Sequence, residues 1–463
     1  TSGFSRGDMI IASADNFLSK LNVGTVGKVL MSSGQVPYWN EIELNTTTNN
    51  IYISDTAKWV QRGTDISGTT DSQTGDSVSL SSDGTTMVVG QPGDEMVKIY
   101  TWSTSTNDWE LSKDITGFTY FQSGTSVSVS GDGNVVVFGS PPPGTYDGKV
   151  SVYENDGGTW TSTVITPDRT NVGKFGWSVD LSIDGNRLIV GETTDYNENS
   201  YVYVYERGVG GTWSQLGQVI TSIGDIELGY SVSISGDGSI ISASAISDGN
   251  GKVYVYELVS GNWVQRGQTL EGSTIGERFG YSIDLSSDGN VLIIGTPYNN
   301  TNGVESGQVK VYSWNTNSWV QKGFDINGFL ISGFFGNNVA ITDNGDTIIA
   351  GSLAVNGQTQ TRVFKWTGTI WSEYGYKILD ELLQGISCSS VTISFDGTVI
   401  AVGDSLEPPG GIVRAYVSTD VFASPEYDLT PLTNRLDDLE LSDVNINNQI
   451  GTNSNKIIVL ENG

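Results

Sequence analysis

One phrase returns seven times along this chain: a serine-rich strand, an Asp-Gly turn and a hydrophobic strand. It reads GDSVSLSSDGTTMVVG from Gly75, GTSVSVSGDGNVVVFG from Gly124 and GWSVDLSIDGNRLIVG from Gly176. Copies follow from Gly229 and Gly280, with two degenerate ones from Gly336 and Ser389. The residue before the turn glycine is Asp83, Asp132, Asp184, Asp237, Asp288, Asn344 and Asp396, at intervals of 49, 52, 53, 51, 56 and 52 residues. A period near 50 is too long for a leucine-rich or ankyrin unit and suits a four-stranded propeller blade. Each unit carries four strand signals. The first alternates with period two, and the second is the continuous apolar run of a strand buried on both faces. The third alternates again, as in KVYVYE from Lys252, and the fourth begins at a tryptophan. The Asp-Gly pair predicts a two-residue hairpin turn, because both residues tolerate positive φ. Its Asp and Gly are read as turn chemistry, not as ligands.

The tryptophans test whether the ring closes. Six units own a fourth-strand Trp, at Trp109, Trp160, Trp213, Trp263, Trp319 and Trp371, and the seventh has none. The missing strand stands at the front, where AKWVQRG with Trp59 matches NWVQRG from Asn262 and SWVQKG from Ser318. The expectation is an all-β fold: a seven-bladed β-propeller over residues 52–420, its last blade completed by the N-terminal strand. Closure of that kind removes the open edges of a linear stack. A linear β-solenoid is the alternative.

Composition narrows the function classes. The 463 residues include 23 basic and 52 acidic ones, a formal charge of −29. Such a surface repels nucleic acid and anionic membranes. No apolar stretch approaches the 18 residues of a membrane span. The single cysteine, Cys388, allows no intrachain disulfide and reads as a small buried hydrophobe. Histidine is absent, which removes Ser-His-Asp and Cys-His catalysis and histidine-bound zinc. The chain opens on Thr1, as a processed or partial chain does.

The two ends fall outside the repeat. Residues 1–51 hold short apolar strands, and residues 421–463 hold a linker, a heptad seam and a terminal strand signal. The seam runs through Leu429, Leu432, Leu436, Leu439, Ile446 and Ile450, with Asp443 at the one polar core position. It predicts a short coiled-coil helix over about 429–450, with Leu432, Leu436, Leu439, Ile446 and Ile450 as oligomerisation residues. A helix of that length is marginal alone. A single amphipathic helix docked on the propeller is the alternative.

Several elements of the N-terminal segment form a pattern: Gly7-Asp8, Ala12-Ser13-Ala14, Leu18, Leu21, Gly24, Gly27, Val29-Leu30, Gly34, Pro37 and Trp39. This pattern resembles a β-rich module of bacteriophage and other viral tail-fibre or appendage proteins. The resemblance implies a homotrimeric shaft and partners among other virion proteins. A β-rich spacer is the plainer reading. The repeat itself resembles FG-GAP-like and WD-like propeller repeats, which occur in surface proteins and host many functions.

Candidate sites follow from topology. With the first strand innermost, the Asp-Gly turns and the links before each Trp share one face. The loops joining strands two to three, and those leading into the next blade, share the other. The first set is uniform and the second diverges, and divergent loops on a rigid scaffold are where binding residues gather. Their aromatic residues are Tyr120, Phe121, Tyr146, Tyr196, Tyr298, Phe334, Phe335 and Tyr374. Such rings stack on sugars while Asn and Asp take hydroxyls. Loop packing is the competing explanation for each. Calcium candidates are Asp195, Asn197, Asn199, Asp248 and Asn250, which lack the full ligand spacing of a calcium loop. No carboxylate pair stands out as a glycosidase couple. The expectation is a non-enzymatic virion fibre or spike protein, without cofactor, that presents the propeller to a host-surface glycan or protein. A bacterial or algal surface adhesin, and a carbohydrate-active enzyme, are the alternatives.

Overall fold

The computed structural model describes residues 59–418, apart from 144–146, 169–172, 195–199, 222–226, 248, 354–360 and 375–387, together with the backbone of a few strands outside that span. The chain divides into two units, Trp59–Ser418 and a second made of Thr1–Lys58 with Thr419–Gly463. In the second, Met9–Ala12 pairs with Leu18–Leu21, and Lys28–Ser32, Pro37–Asn45 and Asn50–Ile53 form a three-stranded sheet. Asn445–Ile446 pairs with Leu460–Glu461. The heptad positions Leu432, Leu436, Leu439 and Ile450 lie outside the described residues.

The unit Trp59–Ser418 is a seven-bladed β-propeller. Each blade is an antiparallel sheet, and in blades 1 to 6 the main four strands follow chain order. Blade 5 is typical, with Ser282–Leu285, Val291–Thr296, Gln308–Asn315 and Ser318–Gln321. Blade 7 joins Ser390–Ile393, Val399–Asp404 and Ile412–Ser418 to Trp59–Gln61, in the register Tyr416 to Gln61 and Ser418 to Trp59. The first strands are innermost. They pack one against the next around the ring, and Ser390–Ile393 packs against Val78–Leu80 of blade 1.

The core lies between blades. Second strands such as Val135–Ser140 and Val291–Thr296 are buried along their whole length. One cluster joins Val253 and Val255 of blade 4 to Phe279, Ile283, Leu285 and Leu292 of blade 5. Another joins Val399 and Val413 of blade 7 to Leu80 and Val89 of blade 1. The glycine closing six of the seven phrases, with Ser244 closing the fourth, has a purpose here. A Cβ on Gly295 would lie 2.0 Å from the Gly336 carbonyl oxygen of the next blade, and one on Gly403 would lie 2.1 Å from that of Gly75. Neighbouring blades therefore touch backbone to backbone, and only glycine permits that approach.

The fourth-strand signature W-x-Q-x-G is an interblade hook. The Trp319 indole N–H donates to the Arg266 carbonyl of the preceding blade at 2.9 Å, and the ring packs where a Gly267 side chain would stand. Trp263 does the same with Leu216 and Gly217, and Trp109 with Arg62 and Gly63. The last pair ties the strand bearing Trp59 to blade 1.

Candidate functional site

The repeated Asp-Gly pair is occupied with its own turn. The Gly84 N–H donates to the Ser81 carbonyl at 2.9 Å, the Ser81 hydroxyl donates to the Asp83 carboxylate at 2.8 Å, and so does the Thr85 N–H at 2.9 Å. Glycine alone takes the left-handed conformation, with φ of 63° at Gly84, while Asp83 does not. The connection is thus a four-residue turn ending on a left-handed glycine, not the two-residue hairpin that the pair predicts. Burial alone would raise the Asp83 pKa, but the Ser81 and Thr85 hydrogen bonds outweigh it and hold the carboxyl below the ordinary range. The residue before each Asp then links blade to blade. Ser82 N–H donates to Gly131 O, Gly131 to Ile183, Ile183 to Gly236, Gly236 to Ser287, Ser287 to Asp343, and Phe395 back to Ser82, at 2.8–3.1 Å. Six of the seven blade junctions at this end of the ring carry such a backbone hydrogen bond.

The serines of the first strand are mortar of another kind. An innermost strand leaves backbone N–H groups without a ladder partner, and each needs an acceptor. The preceding blade supplies it. The Val127, Val179, Val232, Ile283 and Val339 N–H groups donate to the hydroxyls of Ser77, Ser126, Ser178, Ser231 and Ser282 at 2.8–3.2 Å. Two carboxylates serve the next tier: Asp180 accepts from Ile234 N–H at 3.0 Å and Asp284 from Ile341 N–H at 2.9 Å. Burial pushes Asp284 up to about 7, with the Asp180 charge adding to it, and burial likewise raises Asp180. Among the described residues no group of three or more His, Cys, Asp or Glu is gathered as a metal ion would require.

The opposite mouth differs. Its phrase position directly after the first-strand glycine carries Asp76, Thr125, Trp177, Tyr230, Tyr281, Asn337 and Ser389. Three consecutive blades place an aromatic ring there, and the rings touch: Trp177 to Tyr230 at 5.7 Å and Tyr230 to Tyr281 at 5.1 Å between centroids. The row continues onto the loops through Tyr298, 6.3 Å from Tyr281, and Phe334, 5.2 Å from Tyr298. It forms an arc of five rings spanning blades 3 to 6. Two loops zip together behind its end, with Ser332 N–H donating to Val304 O, Phe334 to Glu305 and Gly328 to Gly307 at 2.7–2.9 Å. Glu227, Arg278 and Phe334, each two residues before a first-strand glycine, hold left-handed backbone with φ of 49–64°. Gln73, at the same position before Gly75 and outside the arc, shares it with φ of 56°, so the conformation belongs to the repeat.

The residues singled out in the sequence fare unequally. Tyr298 and Phe334 belong to the arc. Phe335 does not face a ligand: it is 1% exposed and packs in the core with Val309 and Val339, because the zipped loop turns it inward. Tyr120 is 79% exposed and stands apart on blade 1, its N–H held by Glu95. Phe121 packs edge-on against Phe118 beside the Lys149 ammonium. Tyr374 lies under the Lys365 ammonium at 3.4 Å. Asn250 donates to the Gly272 carbonyl, a loop contact. Tyr146, Tyr196, Asp195, Asn197, Asn199 and Asp248 lie outside the described residues. The sequence reading missed Trp177, Tyr230 and Tyr281, which sit inside the uniform phrase. Their signal is that one position of the phrase fails to repeat.

No protein-family model matches this chain, and no curated protein does. Solved structures do match. The hydrazine synthase of Kuenenia stuttgartiensis aligns at 15% identity with a TM-score of 0.51, over 73% of this chain and 95% of its own. The Cps50 (Swd1) β-propeller domain of Myceliophteria thermophila aligns at 10% identity with a TM-score of 0.51, over 76% of this chain and 98% of its own. At such identities the likeness extends to the propeller architecture and no further.

Proposed function

We propose that this chain is a component of a virion fibre or spike whose propeller holds a host-surface glycan on the aromatic arc, without catalysis. The arc carries the reading. Five touching rings from blades 3 to 6 line one mouth of a rigid channel, and stacked rings of this kind bind the apolar faces of sugars. The absence of histidine from the whole sequence supports binding over acid-base chemistry. The virion setting rests on the N-terminal pattern from Gly7 to Trp39, and assembly as a trimer rests on that pattern and the heptads from Leu432 to Ile450. A glycan array probed with the full chain tests the arc: Tyr281→Ala is expected to weaken binding at least tenfold while leaving the fold intact. Equal binding by wild type and Tyr281→Ala would place the ligand elsewhere. Detection of the chain in purified particles, and a trimer mass in solution, test the setting.

A further inference from the structure

Arg278 is out of character with the rest of this molecule. Most described cations are spent on structure. Arg62, Arg266 and Lys322 donate to the turn-glycine carbonyls of Gly84, Gly289 and Gly345, and Arg414 pairs with Asp65. Arg278 is exposed, and among the described residues its one polar side-chain contact is the Tyr298 hydroxyl at 3.5 Å. Its guanidinium lies 4.6 Å from the Tyr298 ring centroid, so the arc itself holds it in place. Its backbone is left-handed, with φ of 54°, a conformation that glycine would adopt without strain. At the far end of the arc the Lys174 ammonium lies 5.0 Å from the Trp177 ring. Glu227, a carboxylate of the same row, accepts from the Ser247 hydroxyl. Among the described residues Arg278 has no carboxylate partner, so a chain of charge −29 keeps an exposed guanidinium at the aromatic mouth, where long-range electrostatics would otherwise repel anions.

We infer that the arc takes a saccharide bearing an oxyanion, a carboxylate or a sulfate, which Arg278, held on the Tyr298 ring, pairs with while the sugar face lies on Tyr281. A planar guanidinium fits either group with two parallel hydrogen bonds. This inference rests on the glycan reading above. The test uses the full chain and three probes of equal length: tetragalacturonate, its complete methyl ester, and a sulfated galactan tetrasaccharide. Binding of one or both anionic probes, at least tenfold tighter than the ester, is expected. Arg278→Gln should erase that preference, while Arg278→Lys should restore part of it for a carboxylate. Raising salt from 50 to 500 mM should weaken the anionic probe and leave the ester unchanged. Ester binding as tight as that of the anionic probes, or no effect of Arg278→Gln on them, overturns the inference and leaves the glycan reading standing. Silence of all three probes, with a neutral hexose array also silent, overturns both.

Discussion

The two mouths of the channel are built from the same repeated phrase and end up unlike. At the Asp-Gly mouth the turn carboxylates, such as Asp83, are held by their own turns, and backbone hydrogen bonds link six of the seven blade junctions. At the other mouth the equivalent position changes from Asp76 to Trp177 to Asn337, and what gathers is an aromatic arc beside an exposed arginine. The difference lies in what each end presents: hydrogen-bonded turns at one, half-buried rings and an exposed arginine at the other.

The largest expected effect separates hook from arc. Trp319→Ala removes a side chain that is 3% exposed, together with its bond to Arg266, and should cost about 3–5 kcal/mol in denaturant unfolding. Tyr281→Ala, at the arc, should cost less than about 1 kcal/mol. Equal losses would show that the arc is part of the ring's structure, and the contrast between the mouths would collapse.

Next in size is the pH dependence of the channel wall. Asp284 has a folded-state pKa near 7, above the ordinary carboxyl value of about 4. The folded protein then holds more protons than the unfolded chain between those values. Stability is therefore full below about pH 4 and falls as the pH rises through 7. Asp284→Asn should flatten that slope in unfolding midpoints measured from pH 4 to 8. An unchanged slope would mean that Asp284 ionises freely in the folded ring.

The smallest effect tests the serine mortar. Ser231→Ala strips the acceptor from the Ile283 N–H and should cost about 1–2 kcal/mol. Amide exchange at Ile283 should quicken while exchange at Ile341, served by Asp284, holds steady. Unaltered protection at Ile283 would show that water replaces the hydroxyl without loss.

Much of the fold was legible because the repeat states its local rules seven times. Period two in SVSIS, the apolar run VLIIG and the displaced Trp59 strand each report a one-dimensional pattern that backbone sterics and burial translate directly. The turn was read one step short, since Asp-Gly alone does not reveal that Ser81 closes the loop and that glycine alone turns left-handed. The site was half legible. Tyr298 and Phe334 stood out as loop aromatics, but Phe335 beside them is core, and adjacent residues on a loop carry no period to tell inside from outside. Trp177, Tyr230 and Tyr281 lie about 50 residues apart in the chain and touch only because the ring brings three first strands together.

The sequence by itself determined the blade count, the strand order within a blade and the division between uniform turns and divergent loops. These depend on local propensity and on a pattern repeated in series. Only the tertiary structure decided which side chains meet across blades: that serine hydroxyls serve the next blade's amides, that tryptophans hook the preceding strand, and that one variable position becomes a continuous aromatic arc. Those contacts depend on curvature and on the closeness of blades at the axis, and no spacing along the chain encodes either.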